Sequence, residues 1–425
     1  MKNNLISKIH AAVEDFYLQK ENKFIPGKTF IPTGFAIYDN QEVNAVIDSL
    51  LSEHLGLSII GKNFENQFAK YIGMNNCTLV NSGSSASLLA LAGLKKKNNL
   101  RGGEIITPAC GFPTTINPII QLGFTPVFTD VDNTYNISLK SIEKALTNNT
   151  IGIVFAHTLG NPAKIDEIMQ IAKREKIFVI EDCSDAYGSF CDGKKCGSFG
   201  DVSITSFYPA HNITLAGEGG AILTNDDKLN KIIRSLRDWG RDCHCEAGQD
   251  NACGKRFKHK LNNILYDHKY IFSNIGYNLK PIESQAAFGI EQLKRIESFN
   301  IKRRENFINF KKEFKKFNKY LEFPKINDKA SPAFFGLPLM IKNNDVNRND
   351  LVRFLNKNKI GTRYLFGGNL IHQQAYKNIE YKICEKLTNT NKILKNLFWI
   401  GIHPNIGVEE IKYISSKFAE YFSKK

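Results

Sequence analysis

A strand–helix–strand unit in the middle of the chain decides the fold class. The apolar run IGIVFAHT (residues 151–158) precedes an amphipathic stretch from Ile165 to Arg174, and a second apolar run, IFVIEDCS (residues 177–184), follows. Short apolar runs that alternate with amphipathic helices are typical of a mostly parallel sheet with helices on both faces. We therefore predict an α/β fold, and we expect ligands to bind beyond the carboxyl ends of its strands.

The same alternation extends from about residue 50 to residue 290 and then ends. GGEIITPA (102–109) and GFTPVFTDVD (123–132) have the pattern of further buried strands, and a long charged helix is predicted from about Gln285 to Lys319. This change of character predicts three regions along the chain. They are an N-terminal helical segment (1–50), a large α/β domain with a cysteine-rich loop at 242–260 (51–290), and a linker helix with a smaller C-terminal α+β domain (291–425).

Composition argues against several classes of protein. The chain has 425 residues, of which 42% are hydrophobic, and a formal net charge of +15. Lys and Arg are spread along the chain, whereas a nucleic-acid binder concentrates them on one face, so we expect no nucleic-acid partner. The basic surface suits an anionic substrate. No apolar stretch reaches the length of a membrane span, and the N-terminal stretch lacks the pattern of a signal peptide, which predicts a cytoplasmic protein.

Polar residues after two predicted strands form the first candidate site. Asn81-Ser82-Gly83-Ser84-Ser85-Ala86 lies between an apolar run and a helical stretch, where backbone N–H groups and the helix dipole can bind a phosphate. A serine at a helix start is more often only a cap. Glu181 and Asp182 end another strand, and a carboxylate there can keep a pyridine nitrogen protonated. A cap or a loop ion pair is the commoner role for such a carboxylate.

The segment Ser206-Phe207-Tyr208-Pro209-Ala210-His211, followed by Gly217-Glu218-Gly219-Gly220, carries a family resemblance. It resembles the nucleotide-sugar aminotransferases, which are fold-type-I enzymes dependent on pyridoxal phosphate. That family has a lysine, five residues after the serine, that binds the cofactor covalently. Here His211 takes that position, and histidine cannot form the covalent link but can move a proton near neutral pH. The resemblance thus implies that His211 is a catalytic base.

One subfamily combines this histidine with an iron–sulfur site, namely the CDP-4-keto-6-deoxyglucose 3-dehydrases of 3,6-dideoxysugar biosynthesis. The chain is similar to them over nearly its full length. The shared motifs include AHTLGN at 156–161, RDWGRDCxC at 237–245, NxCGKRF at 251–257 and GYNLK at 276–280. This similarity implies pyridoxamine 5'-phosphate (PMP) as the cofactor. It also implies removal of the 3-hydroxyl from a nucleotide-linked 4-keto-6-deoxyhexose in lipopolysaccharide biosynthesis.

The resemblance also implies a role for individual residues and partners. Asp182 would pair with the ring nitrogen and would form the catalytic pair with His211, and Phe112 would lie against the pyridine ring. The residues implied to bind the cofactor phosphate are Gly83, Ser84, Ser85, Ser206 and, from the second subunit of a homodimer, Asn278. The implied electron donor is a separate reductase that contains a flavin and an iron–sulfur cluster.

Nine cysteines, an odd number, fit reduced thiols or metal ligands better than disulfides. Cys243, Cys245 and Cys253 form a C-x-C-x7-C pattern, and from the spacing alone zinc, an iron–sulfur cluster and incidental thiols all remain open. The resemblance implies a [2Fe–2S] cluster, which typically takes four thiolates. In the subfamily the fourth thiolate lies two positions after the ring-pairing aspartate, where this chain has Ser184.

We predict that the neighbouring Cys183 supplies this fourth ligand. The alternatives are Cys191, Cys196, ligation by the Ser184 oxygen, or loss of the cluster. Two roles are open for the motif Tyr266–Tyr270, a contact with the sugar nucleotide and simple loop packing. Arg241, Lys255 and Arg256 fit the substrate diphosphate, an acidic partner or a solvated face.

Three other functions compete with the 3-dehydrase hypothesis. A cluster-free sugar 3-dehydratase would also use histidine in place of lysine, and iron analysis distinguishes it. A conventional sugar aminotransferase would need the missing lysine at position 211. A non-catalytic binding protein would not need a phosphate loop, Phe112, Asp182 and His211 together.

Overall fold

The computed structural model describes residues 2–20, 23–245, 249 and 251–425, and it contains twelve α-helices within these ranges. The helices are α1 (Lys2–Leu18), α2 (Asn40–Leu51), α3 (Ile59–Ile72), α4 (Gly83–Lys97), α5 (Pro113–Gln121), α6 (Leu139–Ala145), α7 (Ile165–Glu175), α8 (Asp227–Arg237), α9 (Glu283–Phe314), α10 (Arg348–Lys357), α11 (Thr388–Asn396) and α12 (Val408–Phe422). Among the described helices, none has both the length and the apolar character that crossing a membrane requires.

Seventeen strands are found in the same described ranges. The strands are β1 (Asn76–Val80), β2 (Glu104–Pro108), β3 (Thr125–Thr129), β4 (Thr150–Ala156), β5 (Phe178–Asp182), β6 (Phe190–Cys191), β7 (Lys194–Lys195), β8 (Val202–Ser206), β9 (Gly220–Thr224), β10 (His259–Leu261), β11 (Ile264–Tyr266), β12 (Leu321–Glu322), β13 (Ala330–Ser331), β14 (Gly336–Ile341), β15 (Thr362–Tyr364), β16 (Lys382–Ile383) and β17 (Leu397–Gly401).

Eight of these strands form one large sheet in the order β1-β9-β8-β5-β4-β2-β3-β16. The pairs from β8 to β16 are all parallel, whereas β9 runs antiparallel to both of its neighbours. Every residue of β2 and β5 is buried, which explains why these strands are continuous apolar runs in the sequence. The predicted α/β fold with a mostly parallel sheet is confirmed.

Helices cover both faces of this sheet. Successive side chains of β5 point to opposite faces, so Ile180 packs in a core with Leu89 of α4, while Val179 packs in another with Ile168 of α7. The carboxyl ends of β4, β5 and β8 therefore meet at one edge of a sheet that is buried on both sides. A site at this edge is therefore supported by buried side chains on both faces of the sheet.

The long helix α9 connects the large sheet to a second, four-stranded sheet in the order β12-β14-β17-β15. Phe310 and Phe314 of α9 pack with Phe418 of α12 in the core of this smaller part, whereas Ala286 and Ile296 belong to a core of the large part. The predicted boundary between residues 290 and 291 thus falls inside one continuous helix. The division into three regions stays a prediction.

Candidate active site

The predicted phosphate loop lies against the end of strand β8. Ser82 caps helix α4, since its hydroxyl oxygen accepts a hydrogen bond from the backbone N–H of Ser85 at 3.1 Å. A Cβ atom at Gly83 would lie 2.5 Å from the Cβ atom of Ser206, so the two segments can approach only because residue 83 is glycine. The structure thus brings Ser206 to the start of α4, whose first N–H groups lack acceptors within the helix. Ser84 is exposed in this first turn.

Asp182 lies at the end of β5 and is held by three hydrogen bonds. The Thr115 hydroxyl donates to Oδ2 at 2.5 Å, and the backbone N–H and hydroxyl of Ser184 donate to Oδ1 at 3.0 and 2.7 Å. Burial raises the pKa of Asp182 above its usual value, and these hydrogen bonds partly offset the effect of burial. A protonated ring nitrogen beside Asp182 would supply a positive charge that compensates the buried carboxylate. Thr115 was missed in the sequence because nothing in its spacing marks it.

Phe112 is placed at the entrance of helix α5, whose Thr115 reaches Asp182. About half of the Phe112 side chain is exposed, and its ring makes an edge-on contact with Phe366 at a centroid distance of 6.1 Å. An exposed ring next to the Asp182 carboxylate is the arrangement that a planar aromatic cofactor requires. The phosphate loop, Ser206, Asp182 and Phe112 therefore fit pyridoxamine phosphate.

His211 lies in the turn that follows β8 and faces a carboxylate that the sequence interpretation missed. Its Nδ1 atom is 3.4 Å from Oδ1 of Asp185, and its ring packs 5.2 Å from that of Phe335. A carboxylate on the Nδ1 side favours the tautomer with its proton there and leaves Nε2 able to accept one. Asp185 follows Asp182 by three residues. A second carboxylate so soon after a buried strand is the sequence feature by which Asp185 could have been predicted.

A buried arginine lies behind this pair. The Arg303 guanidinium is 1% exposed and donates to the carbonyl oxygens of Phe334 and Phe335, both at 3.1 Å. Burial lowers the pKa of Arg303 to about 10, and the negative charge of Asp185 acts in the opposite direction. Arg303 is therefore cationic at neutral pH.

The cysteines around Asp182 are core residues. Cys183 and Cys196 are 2% and 0% exposed and share one apolar core, whereas Cys191 belongs to another. Burial raises the pKa of the Cys183 thiol well above its usual value, which disfavours a thiolate. Ser184, the fourth position of the subfamily pattern, donates its hydroxyl hydrogen to Asp182 instead.

The three loop cysteines line a separate open cleft of about 330 Å³. Cys243 and Cys245 are half-buried and Cys253 is exposed. Among the described residues, the groups of three or more possible metal ligands within 4.8 Å of one another are His157, Glu181 and Cys183, and Asp242, His259 and His268. Neither group contains Cys243, Cys245 or Cys253, and Cys183 lies in a core apart from their cleft. The predicted set of Cys183, Cys243, Cys245 and Cys253 is therefore not assembled within the described part of one chain.

The same cleft is rich in cationic side chains. Arg241, Arg256 and Lys280 line it together with Trp239, and the Lys280 ammonium lies 3.5 Å from the Trp239 ring centroid. The sequence left open whether Arg241 and Arg256 belong to a substrate, a partner or the solvated surface. In the structure both lie beside the cysteines, where positive charge suits an anionic iron–sulfur cluster.

Asn278 is exposed, and its side-chain oxygen accepts a hydrogen bond from Lys280 at 2.9 Å. Its neighbour Leu279 accepts a backbone hydrogen bond from Asn81 at 2.8 Å, so this segment adjoins the phosphate loop of its own chain. The role of Asn278 in a second subunit's site stays a prediction.

Comparison with known proteins links this geometry to a family. Residues 37–419 match the DegT/DnrJ/EryC1/StrS aminotransferase family. The chain is 43% identical to the lipopolysaccharide biosynthesis protein RfbH of Salmonella typhimurium, with 99% of this chain and 98% of that protein covered. It is 42% identical to the dTDP-4-dehydro-2,6-dideoxy-D-glucose 3-dehydratase of Saccharopolyspora spinosa, with 98% and 92% covered.

A solved structure agrees with these sequence relatives. The fold superposes with a TM-score of 0.83 on the GDP-4-keto-6-deoxy-D-mannose-3-dehydratase of E. coli, which contains bound hydrated pyridoxal phosphate. The two chains are 31% identical, and the superposition covers 92% of this chain and 99% of the E. coli chain.

Proposed function

The chain belongs to the DegT/DnrJ/EryC1/StrS aminotransferase family, and from this premise we propose that it is a PMP-dependent nucleotide-sugar 3-dehydrase. Its substrate in this proposal is CDP-4-keto-6-deoxyglucose, and its pathway makes a 3,6-dideoxysugar for lipopolysaccharide. The observation that carries the proposal is His211. It occupies the cofactor-lysine position, and its Nδ1 lies 3.4 Å from a buried carboxylate.

PMP bound beside Asp182 would supply an amine for the 4-keto group and a protonated ring that stores electrons. The start of α4 and the Ser206 hydroxyl hold the phosphate, and Asp182 keeps the ring nitrogen protonated. With the cofactor bound, Nε2 of His211 would accept a proton from its methylene carbon, while Asp185 would orient the imidazole and stabilise the positive charge that it gains. His211 would then return this proton to the 3-hydroxyl of the sugar, so that the C3–O bond breaks and the hydroxyl leaves as water.

Two electrons are needed to complete the deoxygenation. We propose that Cys243, Cys245 and Cys253 would hold a [2Fe–2S] cluster, which would supply one-electron transfer from a separate flavin- and iron–sulfur-containing reductase. The cationic side chains of the cleft, Arg241 and Lys280 among them, support an anionic cluster there. All nine cysteines are free in the structure, which is consistent with a protein of the reducing cytoplasm.

The working enzyme in this proposal is a homodimer. Apolar side chains near the cleft are exposed in the single chain, such as Ile59 (71%) and Ile275 (99%), and a second subunit would bury them. Asn278 of that subunit would reach the cofactor phosphate.

The dehydration step can be tested without any reductase. The protein, loaded with PMP, is incubated with CDP-4-keto-6-deoxyglucose in water enriched in the heavy oxygen isotope, and the recovered sugar is analysed by mass spectrometry. Reversible loss of the 3-hydroxyl should place heavy oxygen at C3. Absence of exchange at C3, with cofactor binding demonstrated, would refute the proposal. Parallel reactions with the dTDP-linked sugar test the base, because the relative from Saccharopolyspora spinosa is named for a dTDP sugar.

A cluster-free 3-dehydratase is the second candidate. It is favoured by one observation, that the described residues of a single chain do not bring a fourth thiol to the loop cysteines. The cluster-free 3-dehydratase would be supported if the protein exchanges heavy oxygen at C3 but takes up no iron or sulfide on anaerobic reconstitution. Rapid transfer of an amino group from glutamate would instead support a conventional aminotransferase.

A further inference from the structure

The cysteine cleft contains three thiols, and the ligands predicted to complete the set lie elsewhere. Cys183 is enclosed in an apolar core, and the Ser184 hydroxyl is used by Asp182. A [2Fe–2S] cluster typically takes four protein ligands, in which histidine can replace cysteine. The fourth ligand can therefore be sought among the side chains of the cleft itself.

His268 is held between the two ends of the cysteine loop. Its Nε2 atom lies 2.8 Å from Oδ2 of Asp242, the residue immediately before Cys243. Its backbone N–H donates to the carbonyl oxygen of Arg256 at 2.7 Å, three residues after Cys253. The His268 side chain also lines the same cleft as the three thiols.

The hydrogen bond to Asp242 determines which nitrogen of His268 is available. In the neutral ring Nε2 carries the proton donated to the carboxylate, so the lone pair lies on Nδ1. Nδ1 is buried without a hydrogen-bond partner, and His268 is only 7% exposed. The His259 ring stacks on it at a centroid distance of 3.7 Å. A histidine bonded to a carboxylate through one nitrogen is the usual form of a metal-binding imidazole.

We propose that Nδ1 of His268 is the fourth ligand of a [2Fe–2S] cluster held by Cys243, Cys245 and Cys253. The inference rests on the proposed function, which places a cluster in this cleft. Asp242 is then a positioning residue, because it holds the tautomer and the orientation of the ring. Replacement of a thiolate by a neutral nitrogen raises the reduction potential of a cluster. The cations of the cleft act in the same direction, since they favour the more negative reduced state.

The test uses the full-length protein after anaerobic reconstitution with iron and sulfide. Wild type, His268→Ala, His268→Cys and His54→Ala are compared by iron and labile sulfide per chain. The reduced clusters are then examined by pulsed electron paramagnetic resonance for coupling to a nitrogen nucleus. His54 is the matched control, because it is an exposed histidine that lines the same cleft.

We expect two iron ions per chain and nitrogen coupling in the wild type, and the same result for His54→Ala. His268→Ala should lose the cluster. His268→Cys should keep two iron ions, lose the coupling and show a lower reduction potential, which shows that the loop still folds. A wild-type cluster without nitrogen coupling, or a full complement of iron in His268→Ala, would overturn the assignment.

Failure of the His268 assignment can be distinguished from failure of the proposed function, because heavy-oxygen exchange at C3 requires no cluster. A wild-type protein that exchanges oxygen but takes up no iron would overturn the His268 assignment and leave the dehydration in place. A nitrogen-coupled cluster in a protein that shows no exchange would leave the ligand assignment and refute the dehydration.

Discussion

The strand-end site and the cysteine cleft are held in place in different ways. Asp182 and Ser206 end strands of a sheet that is buried on both faces, and His211 packs on Phe335 beside a buried carboxylate. The cleft is instead built mostly from the segment between α8 and α9, with residues 54–58 on its border. In that segment two short strands, β10 and β11, pair only with each other among the described residues. In the proposed function, proton chemistry, which needs fixed distances, would thus use the sheet, and electron transfer would use a more exposed loop.

The two regions also differ in charge. The strand-end site collects carboxylates, Asp182 and Asp185, with Arg303 behind them, and it suits a cationic ring and a protonated imidazole. The cleft collects Arg241, Arg256 and Lys280 around thiols, and it suits an anionic cluster. A substitution in one region should therefore leave the activity of the other region intact, so that the two activities can be measured separately.

The largest effect is expected from Cys245→Ser. Loss of a cluster ligand should abolish stoichiometric iron and all net deoxygenation, whereas heavy-oxygen exchange at C3 should continue. Cys384→Ser, a half-buried thiol beside strand β16, is the matched control and should keep its iron. Loss of exchange together with iron would show that the two regions are not independent.

His211→Asn should have the opposite effect, with loss of heavy-oxygen exchange and retention of iron. Removal of the base should slow heavy-oxygen exchange by about 10²- to 10⁴-fold, the usual contribution of general base catalysis. Iron content and cofactor affinity should be unchanged, as measured by iron analysis and equilibrium titration with PMP. An exchange rate within a few-fold of wild type would remove His211 from the mechanism.

Asp185→Asn should have a smaller effect on the same step. The amide no longer stabilises the protonated imidazole, and a misplaced base costs up to about 10²-fold in rate. Asp185→Glu should recover part of the rate, which a purely structural role would not predict.

Cofactor affinity should fall as the pH falls. Burial raises the pKa of Asp182, so its carboxyl group takes up a proton at a higher pH than an ordinary aspartate and then loses its attraction for the protonated ring. Protonation should weaken binding about tenfold for each ~1.4 kcal/mol of lost pairing energy. Calorimetric titration with PMP measures this dependence in the wild type, and in Asp182→Asn the contribution from this carboxyl group should be absent.

The smallest effect on the cluster is expected from Cys183→Ser. The substitution buries a hydroxyl group in an apolar core at a cost of about 1–3 kcal/mol, which thermal unfolding should detect. Iron content should not change. A Cys183→Ser protein that lost its iron would instead restore the assignment made from the sequence and would require the loop to reach the core.

The sequence by itself predicted the α/β fold, because parallel strands buried on both faces leave continuous apolar runs such as residues 177–184. This result depends on a local pattern and on a rule that holds for all parallel sheets. The family resemblance implied that Ser206 and the Ser82–Ser85 loop bind one phosphate; Gly83 lies against Ser206 in the structure, and the shared role stays a prediction. The cofactor was implied by the family resemblance of the motif around His211, and the histidine side chain then excludes a covalent link.

Only the tertiary structure decided the partners of these residues. Neighbours in sequence separate in space, since Asp182 faces the site while Cys183 packs in the core. Distant residues meet, such as Asp185 with His211, Thr115 with Asp182 and Asp242 with His268. The physical reason is that strand alternation and loop closure set which side chain faces which, and neither leaves a periodic signal in the sequence. A cysteine spacing can indicate a metal site, but the position of the fourth ligand depends on how the whole chain packs.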